Sequence, residues 1–142
     1  MIKGLIGLIE SKTAITDMIG TAPMRFYAKV IPQGQTLFPC LTFRTNNIID
    51  TSDFSGPSTF DMAMVDIWSY GKNRDGVNGY AEALELQEVV RKELEGKSGT
   101  FNSIEIDDVF YMPSGMEDYL DELELYTKQL EIKVAYRRLV SV

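Results

Sequence analysis

The stretch from Thr59 to Leu94 constrains the fold more than any other part of the chain. Residues 60–70 carry apolar side chains on both parities: Phe60, Met62, Met64, Trp68 and Tyr70 on one, Ala63, Val65 and Ile67 on the other. Successive side chains of a strand point to opposite faces, so this is a central strand covered at least in part on both. A short turn containing Gly71 and Gly76 follows. From about Asn78 to Glu95 the spacing then predicts the longest helix, with Tyr80, Ala83, Leu84, Val90 and Leu94 along one broad stripe. Residues three and four apart share a helix face, so that stripe lies back against the sheet.

The flanking segments extend this unit to an α+β domain. Ile2, Leu5, Ile6 and Ile9 have helical spacing, as do Ile15, Met18 and Ile19, with Gly20 as a stop and Pro23 preventing continuation. Gly4 and Gly7 each weaken the first helix by roughly 1 kcal/mol relative to alanine, so it depends on docking. Residues 25–31 read as a strand, and Pro39 opens a second that runs to about Ile49 with Thr42, Arg44 and Asn46 on its wetter side. After the long helix, Gly96-Lys97-Ser98-Gly99 reads as a flexible exit. The apolar alternation of Ile104 and Ile106 changes phase before Val109 and Tyr111, which predicts a β-bulge at Asp107-Asp108. The last strand alternates Leu130, Ile132, Val134 and Tyr136 with Gln129, Glu131, Lys133 and Arg137, one face buried and one wet, as in an antiparallel sheet. The expected architecture is a mixed, mainly antiparallel sheet packed against one long helix, with an N-terminal helix, and 142 residues suit a single domain.

Charge and cysteine content narrow the function. The formal charge is −7, which disfavours nucleic acid as a direct ligand because phosphate binding draws on Lys and Arg. Residues 1–100 hold 10 basic and 12 acidic groups, net −2, whereas residues 101–142 hold 4 and 9, net −5. One cysteine leaves no intramolecular disulfide and no multi-cysteine zinc site. With no histidine in the chain to activate it, Cys40 reads as a buried, inert thiol. No apolar run approaches the ~20 residues of a membrane span, and no signal-peptide pattern opens the chain, so an intracellular protein is expected.

Few residues suggest chemistry. Glu105 and Asp107 would share a strand face, which leaves an oxygen-ligand or acid–base pair open beside the plainer reading of solvated carboxylates at a bulge. The turn 70–77 joins strand to helix but lacks the Gly-Lys-Ser/Thr ending of a phosphate loop and the three-glycine dinucleotide fingerprint; Asp75 or Asn78 reads as the helix cap. No cofactor or metal site and no catalytic residue is assigned.

Two segments read as contact surfaces. The loop 50–58, with Asp50, Asp53 and Phe54, exceeds the usual hairpin length and is either a solvent loop or a partner contact. Residues 116–125 hold five carboxylates and no cation, and Pro113-Ser114-Gly115 precedes them, which predicts an extended, exposed excursion. Apolar Leu120, Leu123 and Leu125 interrupt the charges, so Glu117, Asp118, Tyr119, Asp121 and Glu122 form either a partner-facing arm or an acidic loop. Charge reversal there is expected to leave folding intact.

Across nearly its whole length the chain resembles the tail-completion, or tail-terminator, proteins of long-tailed bacteriophages. The opening 1–9 helix, Phe26-Tyr27, Ile31-Pro32-Gln33-Gly34 and Phe38-Pro39-Cys40-Leu41-Thr42-Phe43 are similar to that family's first helix, tyrosine strand, proline turn and Pro-aromatic strand. Val65-Asp66-Ile67-Trp68-Ser69-Tyr70 with the 80–95 helix, Tyr111-Met112-Pro113, and the closing 130–138 strand also fit. The loop 50–58 and the acidic 116–125 segment depart from the pattern. The resemblance implies an α+β subunit of a hexameric ring that ends tail-tube growth and docks the head. Its partners would be its own copies, the tail tube protein and head connector proteins, with DNA passing through the lumen without specific binding. It would sit at the head–tail interface of a virion assembled in the host cytoplasm, with no membrane and no catalysis. A head-completion or connector ring protein, and a small intracellular ligand- or peptide-binding domain, remain alternatives on the residues alone.

Overall fold

The computed structural model describes residues 1–21, 23–50, 60–112 and 115–137. Two helices, α1 (Ile2–Glu10) and α2 (Thr13–Ile19), lead into β1 (Phe26–Ala28), β2 (Cys40–Asp50) and β3 (Phe60–Lys72). Helix α3 (Gly79–Leu94) follows, then β4 (Gly99–Phe101), β5 (Ile104–Met112), β6 (Glu117–Leu120) and β7 (Leu125–Arg137). The fold is α+β. A seven-stranded sheet runs β1-β2-β3-β7-β5-β4, with β6 also beside β7. Every pairing is antiparallel except β1 with β2.

Side-chain parity decides which face is covered. Ala63, Val65 and Ile67 of β3 stand in register with Val134, Ile132 and Leu130 of β7, and all six are buried. Leu5, Leu8 and Ile9 of α1, Ile15 and Ile19 of α2, and Leu86, Val90 and Leu94 of α3 join them in one core, so the three helices share one face of the sheet. At roughly 1.5–3 kcal/mol for each fully buried aliphatic side chain, this layer dominates stability. The expected bulge in β5 is present: Ile106 pairs with Tyr136 but Asp108 with Ala135, and the extra residue returns Val109 and Tyr111 to the core side.

Glycines set the closest helix–sheet approaches. A Cβ on Gly4 would lie 2.8 Å from the Ile104 Cβ, so the residue that weakens α1 as an isolated helix is what lets it dock on β5. A Cβ on Gly71 would lie 2.1 Å from the carbonyl oxygen of Gly79, so the first turn of α3 rests on the backbone of β3. Beside it the buried Ser69 hydroxyl donates to the Ala83 carbonyl at 2.8 Å and the Lys128 carbonyl at 3.2 Å.

Four expectations need correction. The first strand is Phe26–Ala28, not 25–31, because Lys29 adopts φ +67° and turns the chain. The buried stripe of α3 runs through Ala83, Leu86, Gln87, Val90 and Leu94, while Tyr80 is exposed and Leu84 only half-buried. The exit after α3 is not a slack linker: Gly96 N–H donates to the Val109 carbonyl at 2.8 Å and Gly99–Phe101 pairs with β5. Residues 117–120 are a strand, and β7 begins at Leu125, before the expected start.

Register gives the sheet two distinct ends. At one, Asp50 pairs with Asp61 and Phe60 with Arg137; at the other, Cys40 pairs with Tyr70, Lys72 with Leu125, and Leu125 with Leu120. The 13 residues of β7 separate them, roughly 40 Å at strand rise.

Candidate functional site

The groups that first suggest chemistry have local partners. Asn78 caps α3, its side chain accepting from Ala81 N–H at 3.1 Å, and Asn73 accepts from Gly79 N–H at 2.7 Å. Arg74 donates to both oxygens of Glu82, at 2.8 and 2.6 Å, and to the Phe38 carbonyl at 3.0 Å. The strand–helix turn thus spends its polar groups on holding itself together. Glu105 pairs with Arg137 at 3.1 Å, and Asp108 accepts from Val109 N–H inside the bulge at 2.8 Å. Glu105 thus has a cation beside it, and among the described residues no group of three or more metal-ligating side chains occurs. Burial pushes the Cys40 thiol up to about 12, with Arg25 opposing and Glu82 adding to the shift. Such a thiol is neutral at physiological pH and a poor nucleophile.

Geometry instead gathers features at the β6–β7 end. The acidic segment predicted as a loose excursion is the distal half of an interrupted edge strand: β5 lies along residues 131–136 of β7, and β6 continues along residues 125–128. Gln129 N–H donates to the Met116 carbonyl at 2.8 Å and bridges the two halves. On the helix side, Glu117 accepts from Tyr80 Oη at 2.8 Å and faces Lys128 Nζ at 3.5 Å. The Tyr80 and Tyr119 rings contact Tyr126, at centroid distances of 5.8 and 4.7 Å. Glu117 holds the Tyr80 phenol above its ordinary range, chiefly through that hydrogen bond. On the opposite side Leu120 and Leu125 pack with Phe38, Cys40, Tyr27, Ile31 and Tyr70 in a second, smaller core. The hairpin is therefore anchored on both faces, with its turn exposed.

The expected contact residues separate accordingly. Glu117 and Tyr119 are engaged within the subunit, so the expectation that charge reversal spares folding does not extend to Glu117. Asp118 lies exposed, with one carboxylate oxygen accepting from Tyr119 N–H at 2.8 Å. Asp121 and Glu122 are exposed in the turn, which closes at Glu124 with φ +53°. Asp50 ends β2 at the opposite end of the sheet; Asp53 and Phe54, like the rest of 51–59, lie outside the described residues. The two anchors of that loop, Asp50 and Phe60, are a full strand length from the hairpin tip.

Sequence reasoning missed the apolar part of this end. Val30, Leu37 and Leu123 are 71%, 64% and 55% exposed, far beyond what a solvated loop requires of three aliphatic side chains. Beside Leu123 a shallow cavity of about 170 Å³ is lined by Ile31, Pro32, Phe38, Leu123 and Leu125 together with Gln33, Gly34, Gln35 and Lys72, whereas Leu37 borders a separate hollow with Arg25 and Tyr27. Tyr119, Leu120, Asp121, Glu122 and Leu123 border a second, more open depression, so Leu123 stands between an apolar hollow and an acidic one. The available signal was Val30-Ile31 and Leu37-Phe38 bracketing a Pro-Gly turn that needs no large apolar residues of its own.

With this geometry in view, the chain can be compared with known proteins. The chain superposes on a chain of the virion of a native gene transfer agent particle with a TM-score of 0.72, over 95% of its own length and 92% of the other's. What the two share is a fold. Their sequences are only 12% identical. No family model matches the sequence, and no curated protein does either.

Proposed function

We propose that this protein is a phage-type virion structural subunit that forms a ring at the head-proximal end of the tail tube, ends tail polymerisation and joins tail to head. The observation that carries the reading is the match of fold, end to end in both chains, to a chain of a gene transfer agent virion. The sequence resemblance to tail-completion proteins supports the finer role. The sheet agrees with it physically. A subunit of a closed ring meets its neighbours head to tail and needs two different surfaces, and this sheet carries candidate contacts at two ends roughly 40 Å apart.

The role is performed by shape-matched interfaces. Copies of the chain close a ring, expected to be hexameric; one rim meets the tail tube protein and the other the head connector proteins. DNA passes through the lumen without sequence-specific contacts, and a formal charge of −7 disfavours a tight grip on phosphate. No helix among the described residues is long and apolar enough to cross a membrane. Solution mass together with electron microscopy tests the reading. Purified protein should reach a discrete multimer mass at high concentration and decorate one end of tail tubes as a ring. A monomer at every concentration that never binds tubes would refute it.

A further inference from the structure

Two exposed features at the Cys40–Leu125 end of the sheet complement each other. The first is a hollow of about 270 Å³ beside β1, where the largely exposed Leu37 stands with Tyr27, Gln35 and Arg25. The Arg25 guanidinium is fixed there, donating through Nε to the Pro39 carbonyl at 3.0 Å and through Nη2 to the Met18 carbonyl at 2.8 Å. Neither acceptor neutralises it, and among the described residues no carboxylate pairs with it. Residues 18–49, which supply the whole lining of the hollow, contain three cations and no acid in a chain of net charge −7. The second feature is the turn between β6 and β7. It presents Leu123, largely exposed, between the exposed acids Glu122 and Glu124, and residues 117–124 hold five acids and no cation. Leu123 N–H donates to the Leu120 carbonyl at 3.1 Å, so the turn is a preformed knob that needs little ordering on binding.

The knob does not fill the hollow of its own subunit. Gln35 borders both that hollow and the 170 Å³ cavity, held by Tyr27 Oη, which donates to its Oε1 at 3.0 Å, and Leu123 lines only the latter. Across the sheet, β6 lies four strand spacings from β1, beyond β2, β3 and β7, or about 19 Å. Hollow and knob therefore sit on opposite edges but at the same end, where Cys40 pairs with Tyr70 and Lys72 with Leu125. We infer that the 121–124 turn of one copy docks in the Arg25 hollow of the next, with Leu123 against Tyr27 and Leu37 and the carboxylates of Glu122 and Glu124 toward the Arg25 guanidinium. The contact is heterologous. With both halves at one end of the sheet it repeats by rotation with little rise, which closes a ring rather than extending a filament. The inference rests on the ring reading above and names one of its interfaces.

Disulfide trapping tests it. Thr21→Cys, at the hollow, and Glu122→Cys, at the knob, leave Leu37 and Leu123 in place; the two proteins are prepared separately, mixed at high concentration and oxidised. The wild type, with its single buried Cys40, serves as the blank. Docked thiols have an effective concentration far above that of the free proteins, so the mixed dimer should form about tenfold or more faster than Lys92→Cys, on the exposed side of α3, with Glu122→Cys. Leu123→Asp should weaken self-association by about tenfold or more, because a charge replaces the apolar anchor. Glu122→Gln with Glu124→Gln should weaken it more in low salt than in high salt, because those carboxylates face Arg25. Melting temperature checks that every variant folds. Trapping no faster than the Lys92→Cys control, with a multimer mass unmoved by Leu123→Asp, overturns the inference and leaves the ring to other contacts and the hollow to a segment of another protein. A wild type that stays monomeric at every concentration overturns both the inference and the ring.

Discussion

Gly71→Ala probes the most crowded point of the subunit. The added Cβ would sit 2.1 Å from the Gly79 carbonyl oxygen and 2.9 Å from the Ala83 nitrogen, both backbone atoms. No side chain can rotate away, so the first turn of α3 must lift by roughly 1 Å to restore ordinary contact. Overpacking of this kind costs about 1–3 kcal/mol. The same lift stretches the 2.8 Å hydrogen bond from Ser69 to the Ala83 carbonyl, for about 1 kcal/mol more. We expect a loss of about 3 kcal/mol in all. With an unfolding entropy of about 0.3 kcal/mol/K for 142 residues, the melting temperature should fall by about 10 °C in calorimetry. Ser69→Ala alone should lower it by only about 3 °C. The two substitutions should also combine to less than their sum, since the lifted helix has already weakened the bond that Ser69→Ala removes. A Gly71→Ala protein melting within about 2 °C of wild type would show that α3 does not rest on β3 as described.

Further expectations follow from the same contacts. Cys40 should resist a thiol reagent in native buffer and react only on unfolding. Its folded pKa stands above the unfolded one, so the neutral thiol favours the folded state, and its contribution is lost as pH rises from about 9 toward about 12; rapid native labelling near neutrality would contradict this. Arg74→Ala removes both hydrogen bonds to Glu82 and the one to Phe38, and should cost about 1 kcal/mol after allowing for solvent screening, visible as a fall of about 3 °C. Asp121→Lys with Glu122→Lys should leave the melting temperature within about 2 °C, because both are exposed turn residues, while lowering multimer mass; unchanged assembly would remove the tip from the interface. Tyr80→Phe should speed amide exchange in β6 more than in β5, since Tyr80 ties Glu117 to α3.

Legibility in the sequence followed the strength of local patterning. β7 alternates cleanly because the helices cover one of its faces, so its parity identifies that face, whereas β3 is apolar on both parities and reads only as a central strand, as its pairing on both edges bears out. The bulge at Asp107-Asp108 was legible as a phase change, since core burial must resume on the same face. β6 was not, because its stabilisers are remote: Tyr80 on a helix, and Tyr126 and Lys128 on the next strand, offset a run of carboxylates that reads as self-repelling in isolation. Tyr80 has helical spacing with Ala83 but lies at the helix edge, which only the position of the hairpin decides. The apolar patch was illegible for a similar reason. Ile31, Phe38 and Leu123 come from two loops that meet only because β2, β3 and β7 all terminate at one end of the sheet.

The proposed role is tested most directly by the lengths of tails made in cells that lack this protein. Electron microscopy of lysates should show abnormally long, headless tails beside filled, tailless heads, with normal length restored by the intact gene. Tails of normal length beside filled, unjoined heads would contradict termination and point to a connector on the head side instead.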